Sequence, residues 1–294
     1  MGMLIEGSWS DTDKILLKGA YHRQPSSHGV DFNNAAIDQM VARISAYPGR
    51  CYLIGSWSCP WSHRTLLSHA LRSLDKCVPV HITGGRRVQG YAANSGMPWP
   101  VPGTDCIITH LHQLYSMHDA RHTGRATVPV LWDSEAKTIL SNDSATIMRV
   151  FDRIPAADVD ENEDFTLLPQ QRVAEIDALN KHLYDNLCNA VYRAAFASRQ
   201  SAYDAALTAV FETLDELELR LSRQRFLLGS AITESDWRLF PTLVRFDIDY
   251  YLHSRCSLRR LLDYPHLWAY TRDLFSWKSI AQTINTDAIN LSNY

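Results

Sequence analysis

The chain has 294 residues, of which 46% are hydrophobic and 21% are charged, and its formal net charge is −3. This composition is typical of a globular protein, and the length allows one large domain or two ordinary ones. The small net charge does not indicate a nucleic acid or a membrane surface as partner. No segment is apolar over the length needed to span a bilayer, and the N-terminus lacks the pattern of a secretion signal. We therefore expect a soluble, cytoplasmic protein.

Residues 1–45 are predicted to form an N-terminal extension that is polar, rich in His and Ser, and helical near its end. Residues 46–153 show alternating patterns: strand, helix, strand, helix, a two-stranded hairpin and a last helix. A Gly- and Pro-rich stretch, 84–104, separates the second strand from the second helix, and its length predicts a functional or family-specific loop. This order of elements is typical of a thioredoxin-like α/β domain.

The second half of the chain has a different pattern. Residues 154–168 are acidic and poor in hydrophobic residues, which predicts a linker. From 169 to 294 hydrophobic residues recur at helical spacing, which predicts an all-helical domain. Within it, residues 233–236 have the pattern of a helix N-cap followed by an acid. Pro241 then falls inside the predicted helix and is expected to kink it.

Cys59 lies between a predicted strand and a predicted helix, and Pro60 follows it directly. Unpaired N–H groups and the helix dipole at such a junction favour the thiolate, which is the nucleophilic form of cysteine. Ser62 stands where a dithiol motif would have its second cysteine. The sequence therefore predicts a monothiol site whose disulfide partner comes from outside, with glutathione as the obvious candidate. A buried structural cysteine is the alternative.

Two further patterns bear on the site. Val128 and Pro129 enter the first strand of the predicted hairpin, where a proline cannot donate to the sheet. A cis bond at this position would place the chain edge beside Cys59, where its backbone could pair with a peptide-like ligand. Four histidines between 110 and 122 lack the spacing and the carboxylate or Cys partners of a metal site, so no metal is predicted.

Together these features resemble the cytosolic glutathione transferases. The run 58–65, SCPWSHRT, closely resembles the Cys-Pro-Trp-Ala-His-Arg run of the glutathionyl-hydroquinone reductases, the Xi class. The run 123–133 resembles the hairpin of that family, and 141–144, SNDS, is similar to its Ser-Asn-Glu-Ser. Residues 245–247 and 263–268 are similar to motifs in its helical half. The resemblance implies a thioredoxin-like domain followed by an all-helical domain.

The resemblance also implies roles for individual residues. Cys59 would remove glutathione from glutathionyl-hydroquinone-type aromatic conjugates, and a second glutathione would resolve the resulting mixed disulfide. Tyr192 would be a second catalytic residue that faces the aromatic substrate. The implied glutathione-binding residues are Tyr91, Arg125, Val128, Pro129, Asp143 and Ser144. The implied substrate pocket is lined by Trp61, Tyr192 and Tyr251. The expected partners are glutathione, a small aromatic molecule and a second copy of the chain.

The sequence departs from the family pattern at two places. Tyr91 follows Gly90 where the family has Gly-Trp, and residues 292–294 read Ser-Asn-Tyr where it has His-Tyr-Tyr and a longer tail. These differences leave the substrate and the dimer interface open. One alternative is an omega-like thiol transferase, a dehydroascorbate reductase or a β-etherase. The other is a non-catalytic protein that binds glutathione or an aromatic ligand.

Overall fold

The computed structural model describes residues 2–12, 16–17, 19–30, 32–85, 87–155 and 166–291. Most of the predicted linker and the C-terminal residues 292–294 lie outside the described residues. The chain divides into two compact units, one of Met1–Lys14 and Pro25–Glu161, the other of Ile15–Gln24 and Asn162–Tyr294. The predicted N-terminal extension therefore contributes residues to both units.

The secondary structure elements are numbered along the chain. The strands are β1 (Met3–Ile5), β2 (Ser8–Ser10), β3 (Leu16–Leu17), β4 (Ala20–Tyr21), β5 (Cys51–Gly55), β6 (Val80–Ile82), β7 (Trp99–Pro100), β8 (Ile107–Ile108), β9 (Val130–Asp133) and β10 (Thr138–Ser141). The helices are α1 (Asn34–Ala46), α2 (Pro60–Leu71), α3 (Leu111–His118), α4 (Ser144–Asp152), α5 (Val173–Leu183), α6 (Ala190–Phe196), α7 (Gln200–Leu221), α8 (Glu234–Arg245), α9 (Pro265–Phe275) and α10 (Thr286–Leu291).

A four-stranded mixed sheet organises the first unit, with the strand order β10-β9-β5-β6. Strand β5 is parallel to β6 and antiparallel to β9, and β9 is antiparallel to β10. Successive side chains of a strand point to opposite faces of the sheet. Accordingly, Leu131 packs in a core with residues of α1 and α4, while Val130 and Trp132 pack in a second core with residues of α3. Helices thus cover both faces, as the predicted thioredoxin-like domain requires.

The N-terminal hairpin was not predicted from the sequence. Strands β1 and β2 pair antiparallel, and Leu4 is fully buried in the same core as Val130 and Trp132. The backbone of Leu4 exchanges two hydrogen bonds with Gly124, of 2.8 and 3.0 Å. Strands of three residues in a polar run carry too little hydrophobic pattern to be recognised.

The regular elements described in the second unit are helices and the short hairpin of β3 and β4. The capping box predicted at 233–236 is present at the start of α8, where the Asp236 carboxylate accepts from the backbone N–H of Thr233 (2.8 Å). Pro241 lies inside α8, which passes into a π-helical turn, Phe246–Tyr250. In the described part of the chain, no helix has both the length and the apolar character needed to cross a membrane.

Candidate functional site

Cys59 is the N-cap of α2, directly after the turn that follows β5. Its backbone N–H donates to the Ser56 carbonyl (3.1 Å), and its own carbonyl accepts from His63 N–H (2.9 Å). Pro60 occupies the first helical position, where a missing N–H is tolerated. The thiol is only 5% exposed and donates to the carbonyl oxygen of Val128 (3.6 Å). Cys59 and Val128, two predicted site residues, are therefore in direct contact.

The Val128–Pro129 bond is cis, as expected, and it precedes β9. Tyr115 on α3 holds the segment before it in place. The Tyr115 hydroxyl donates to the Thr127 carbonyl (2.8 Å) and accepts from Asn142 Nδ2 (3.0 Å). Burial raises the pKa of Tyr115, so the hydroxyl stays protonated. Tyr115, which was not predicted as a site residue, therefore ties the cis-proline segment to the turn before α4.

Asp143 is the N-cap of α4, and Ser144 is the first residue of the helix. The Oδ2 atom of Asp143 accepts from the backbone N–H and the hydroxyl of Thr146 (2.8 and 2.9 Å). Its Oδ1 atom accepts a longer hydrogen bond, 3.5 Å, from the Ser26 hydroxyl. The turn thus places a carboxylate oxygen beside a helix N-terminus. Such an arrangement can bind the ammonium and the carboxylate of an amino acid together.

Residues 26–28, which we call the strap, lie against this turn. His28 N–H donates to Asn142 Oδ1 (2.9 Å), and Asn142 Nδ2 donates to the Ser27 hydroxyl (3.0 Å). Sequence reasoning placed the strap in the extension and did not connect it with the site. No local pattern could have done so, because the two segments are more than 110 residues apart in sequence.

His28 of the strap lies in a cluster with two other histidines, His118 and His122. The His28 ring lies 4.6 Å from that of His118 and 5.9 Å from that of His122, measured between centroids. Burial, together with the charges of the two neighbours, lowers the pKa of His28 to about 4, while Asp119 opposes the shift. Burial also lowers the pKa of His118 and of His122. Among the described residues, no group of three or more His, Cys, Asp or Glu is arranged to hold a metal ion.

We expect acid to destabilise the protein through this cluster. Because the folded-state pKa of His28 lies below the unfolded value of 6.5, the unfolded state binds more protons between pH 6.5 and about 4. The folded protein is therefore not penalised by His28 above pH 6.5, and its free energy of unfolding decreases as the pH falls from 6.5 to about 4. We expect His28 to account for about 1 kcal/mol of this loss, a discounted value because the ring is half-exposed. Thermal unfolding at pH 7 and pH 4.5 measures it.

The matched pair for this experiment is His28→Gln and His266→Gln. In His28→Gln the melting temperature should decrease less between pH 7 and pH 4.5 than in the wild type. In His266→Gln, at an exposed position, it should decrease as much as in the wild type. Equal pH dependence in all three proteins would show that the histidine cluster does not control acid stability.

Tyr91 lies in the loop 84–104 and packs, partly buried, against the core that contains Cys59. The guanidinium of Arg87 stacks on the Tyr91 ring, with Cζ 4.3 Å from the centroid. Arg87 Nη2 also donates to the Ser58 hydroxyl (2.9 Å), one residue before Cys59. The loop therefore places Arg87, which was not predicted as a site residue, beside the turn that precedes Cys59.

Two other predicted residues of this unit are half-exposed. Trp61, in the first turn of α2, packs against the core of Cys59, and the Arg64 guanidinium lies 4.5 Å from the centre of its ring. Arg125 lies three residues before Val128, in the segment that leads to β9.

In the second unit, Tyr192 lies on α6. Its hydroxyl is 3.3 Å from that of Tyr250, and the Arg23 guanidinium lies 5.0 Å from the centre of its ring. Burial raises the pKa of Tyr250 well above its ordinary value, so Tyr250 stays neutral. Tyr251, the predicted pocket residue, follows the π-helical turn and lies under the Arg260 guanidinium (5.5 Å). Tyr250, which was not among the predicted site residues, is thus a direct neighbour of Tyr192, which was.

Comparisons with known proteins agree with this arrangement. The family model of the glutathione S-transferase N-terminal domain matches residues 58–154, and that of the C-terminal domain matches residues 200–273. The chain is 38% identical to glutathionyl-hydroquinone reductase PcpF of Sphingobium chlorophenolicum, over 97% of this chain and 88% of that protein.

Two solved structures are also similar. The glutathione-bound structure of YqjG, a glutathione transferase homologue of Escherichia coli, has a TM-score of 0.79 at 35% identity, over 98% of this chain and 89% of that one. The Xi glutathione S-transferase of Phanerochaete chrysosporium has a TM-score of 0.81 at 33% identity, over 94% and 88%. The predicted fold class, a thioredoxin-like domain followed by a helical domain, is confirmed. The chain belongs to the glutathione S-transferase family and, within it, to the Xi class of glutathionyl-hydroquinone reductases.

Proposed function

We propose that the protein removes the glutathionyl group from aromatic conjugates of the hydroquinone type, with glutathione as co-substrate. The observation that carries this proposal is the position of Cys59, a single thiol at a helix N-cap whose Sγ lies 3.6 Å from the Val128 carbonyl beside a cis proline. A monothiol site of this kind must exchange disulfides with an external thiol. The match to a protein named glutathionyl-hydroquinone reductase supports the choice of substrate.

Glutathione is proposed to lie along the edge formed by the cis-proline segment and the N-terminus of α4. Asp143 and Ser144 would hold the γ-glutamyl end, the first through its carboxylate and the second at the helix N-terminus. The backbone of Val128 would pair with the cysteinyl part, with Pro129 fixing the edge, and Arg125 would approach a carboxylate of the tripeptide.

The proposed reaction has two thiol-exchange steps. The Cys59 thiolate attacks the sulfur of the conjugate, so that an S–S bond forms and the bond between sulfur and the aromatic carbon breaks. The carbon keeps the electron pair and takes a proton, for which the Tyr192 hydroxyl is the proposed donor. A second glutathione thiolate then attacks the mixed disulfide. The products are free hydroquinone and glutathione disulfide, so the aromatic carbon is reduced while the thioether sulfur of the conjugate and the thiol of one glutathione are oxidised to the disulfide.

The remaining proposals concern the aromatic pocket, the cellular compartment and the oligomeric state. Trp61 and Tyr251 are proposed to line the aromatic pocket. All six cysteines are free thiols, which supports a reducing compartment such as the cytoplasm. A homodimer is proposed from the resemblance to the Xi class, and light scattering at two protein concentrations measures it.

The proposed function is tested by substrate preference. The wild-type protein is given glutathionyl-menadiol, dehydroascorbate or a small disulfide, each with excess glutathione, and kcat/KM is compared. We expect glutathionyl-menadiol to be the best substrate. Higher kcat/KM for dehydroascorbate or the disulfide would instead favour an omega-like thiol transferase. No turnover of any of them would favour a binding protein.

Tyr115→Phe is expected to raise KM for glutathione about five- to tenfold while changing kcat less than twofold. The lost hydroxyl bonds to both Thr127 and Asn142, so the cis-proline segment and the α4 turn lose the group that sets their distance. Steady-state kinetics at varied glutathione concentration measures kcat and KM separately. Tyr47→Phe, at an exposed position, is the matched control. An unchanged KM in Tyr115→Phe would contradict the positioning role.

A further inference from the structure

Arg23 is held against Tyr192 by a hydrogen bond and by two aromatic rings. Its Nε donates to Asn189 Oδ1 (2.8 Å). Its guanidinium carbon lies 5.0 Å from the centre of the Tyr192 ring and 5.7 Å from that of the Tyr21 ring. Both distances are within the range of a cation–π interaction. A positive charge is therefore fixed beside the tyrosine that the proposed reaction uses as proton donor.

The short hairpin of β3 and β4 carries Arg23 to this position. The Gly19 carbonyl in its turn accepts from Ser198 N–H (3.0 Å), just beyond the end of α6. The buried ring of Tyr21 packs on that of Phe196 in the same helix, with 5.2 Å between the centroids. Arg23 lies just after β4 and reaches the first turn of α6. The hairpin is thus anchored at one end of the helix, and its arginine contacts the other end.

The helices around Tyr192 are irregular at this site. One π-helical turn, Tyr184–Cys188, leads directly into α6, and another, Phe246–Tyr250, ends at the tyrosine whose hydroxyl contacts that of Tyr192. Such turns are rare and are frequently found at functional sites. Asn189 and Tyr192 follow the first of them three residues apart, a spacing that puts them on one face of the helix. One face of α6 thus carries both the amide that binds the arginine and the phenol beside it.

The charge of Arg23 acts on the proton of the Tyr192 hydroxyl. A cation near a phenol favours the charged phenolate over the neutral form. Because a guanidinium is not deprotonated in proteins, this charge is permanent. Tyr250 stays neutral, since burial raises its pKa well above the ordinary value, and its hydroxyl lies 3.3 Å from that of Tyr192. It can therefore donate a hydrogen bond to the Tyr192 oxygen once this oxygen has lost its proton.

We propose that Arg23 is a positioning residue that makes the Tyr192 hydroxyl a stronger proton donor. As the O–H bond of Tyr192 breaks and a C–H bond forms on the aromatic carbon, negative charge develops on the Tyr192 oxygen. The fixed guanidinium stabilises that charge in the transition state. The phenolate then regains a proton from water before the next cycle. This proposal rests on the proposed function, because that reaction is the one in which Tyr192 acts as an acid.

Three variants separate the charge of Arg23 from its hydrogen bond. Arg23→Gln keeps an N–H donor for Asn189 but removes the charge, whereas Arg23→Lys keeps the charge. Arg255→Gln is the matched control. Arg255 also lies over a tyrosine ring, that of Tyr203 (4.9 Å), and it also donates to α6, at the Ala194 carbonyl (3.0 Å). It therefore has the same kinds of contact as Arg23 without touching Tyr192.

The first measurement is the rate of hydroquinone release in a single turnover as a function of pH. A rate that depends on a general acid falls at alkaline pH, when the acid has lost its proton. We expect Arg23→Gln to lower the rate at neutral pH about fivefold, a size ordinary for a partly buried cation–π contact. The alkaline fall in rate should also move to higher pH. Arg23→Lys should stay within about twofold of the wild type, and Arg255→Gln should match it.

The second measurement does not depend on turnover. The proteins are labelled with meta-fluorotyrosine, and the fluorine signal of Tyr192 is identified by its absence from Tyr192→Phe. The pH at which this signal titrates should be higher in Arg23→Gln than in the wild type and unchanged in Arg255→Gln. The signals of the other tyrosines report whether each variant is folded.

A slower rate in Arg23→Gln with the alkaline fall and the Tyr192 titration both unmoved would overturn the proposal, because Arg23 would then be structural only. An unchanged rate would overturn it as well. In both cases hydroquinone is still released, so the proposed function stands and the role of Arg23 alone fails. If the wild type releases no hydroquinone while the Tyr192 titration still moves in Arg23→Gln, the proposed function fails and the effect of Arg23 on Tyr192 is upheld.

Discussion

Cys59→Ala is expected to lower kcat/KM for the release of hydroquinone from a glutathionyl conjugate by at least about a thousandfold, because it removes the nucleophile. Two of the other cysteines are buried and unreactive. Burial raises the pKa of Cys51 to about 11 and that of Cys256 to about 12, so both remain thiols at neutral pH. Hydroquinone release is followed by chromatography at saturating glutathione.

Two variants control for this result. Cys59→Ser keeps the shape of the side chain but cannot form a disulfide, so it should be as inactive as Cys59→Ala. Cys106→Ala removes an exposed free thiol and should retain wild-type activity within about twofold. Activity of Cys59→Ala above a tenth of the wild-type value would refute the role of Cys59 as nucleophile.

Asp236→Ala is expected to lower the free energy of unfolding of the helical unit by about 3–5 kcal/mol, enough to leave it marginal. The carboxylate is fully buried and accepts four hydrogen bonds. The donors are the N–H and hydroxyl of Thr233 (2.8 and 3.0 Å), the N–H of Leu227 (2.9 Å) and the hydroxyl of Tyr270 (2.8 Å). Alanine leaves all four without this acceptor, and buried unpaired donors cost about 1–3 kcal/mol each before relaxation.

Urea unfolding followed by circular dichroism measures the effect. Asp204→Ala is the control within the same unit, since Asp204 is an exposed residue of α7 bonded to Gln200 (2.7 Å), and it should cost less than about 1 kcal/mol. The free energy of unfolding of Asp236→Asn should lie between those of these two variants, because an amide oxygen can accept some of the four hydrogen bonds. Equal stability of Asp236→Ala and Asp204→Ala would show that the capping box does not hold the helical unit together.

The sequence was most informative where the structure depends on local chemistry. The alternation of strands and helices around the sheet could be predicted because each element carries its own hydrophobic period. Cys59 could be singled out because a strand, a Cys-Pro pair and a helix follow one another, whereas Asp143 was implied by the resemblance of the run 141–144 to the family motif. The capping box at 233–236 is local in the same sense and was also confirmed.

Contacts between distant segments could not be predicted in this way. Tyr115 is one aromatic residue of an amphipathic helix, and nothing in its neighbourhood indicates that its hydroxyl reaches Thr127 and Asn142. The contact of His28 with the α4 turn and that of Arg87 with Ser58 depend on how loops fold back onto the sheet edge. Polar loop residues carry no periodic signal, so only the folded structure reveals these partners.

A single turnover without free glutathione tests the central claim most directly. The wild-type protein is mixed with a stoichiometric amount of glutathionyl-menadiol, and the products are analysed by chromatography and by mass spectrometry of the protein. We predict one menadiol released per protein and one glutathionyl group on Cys59, which added glutathione removes as glutathione disulfide. Release of menadiol with Cys59 unmodified, or a glutathionyl group confined to another cysteine, would contradict the mechanism.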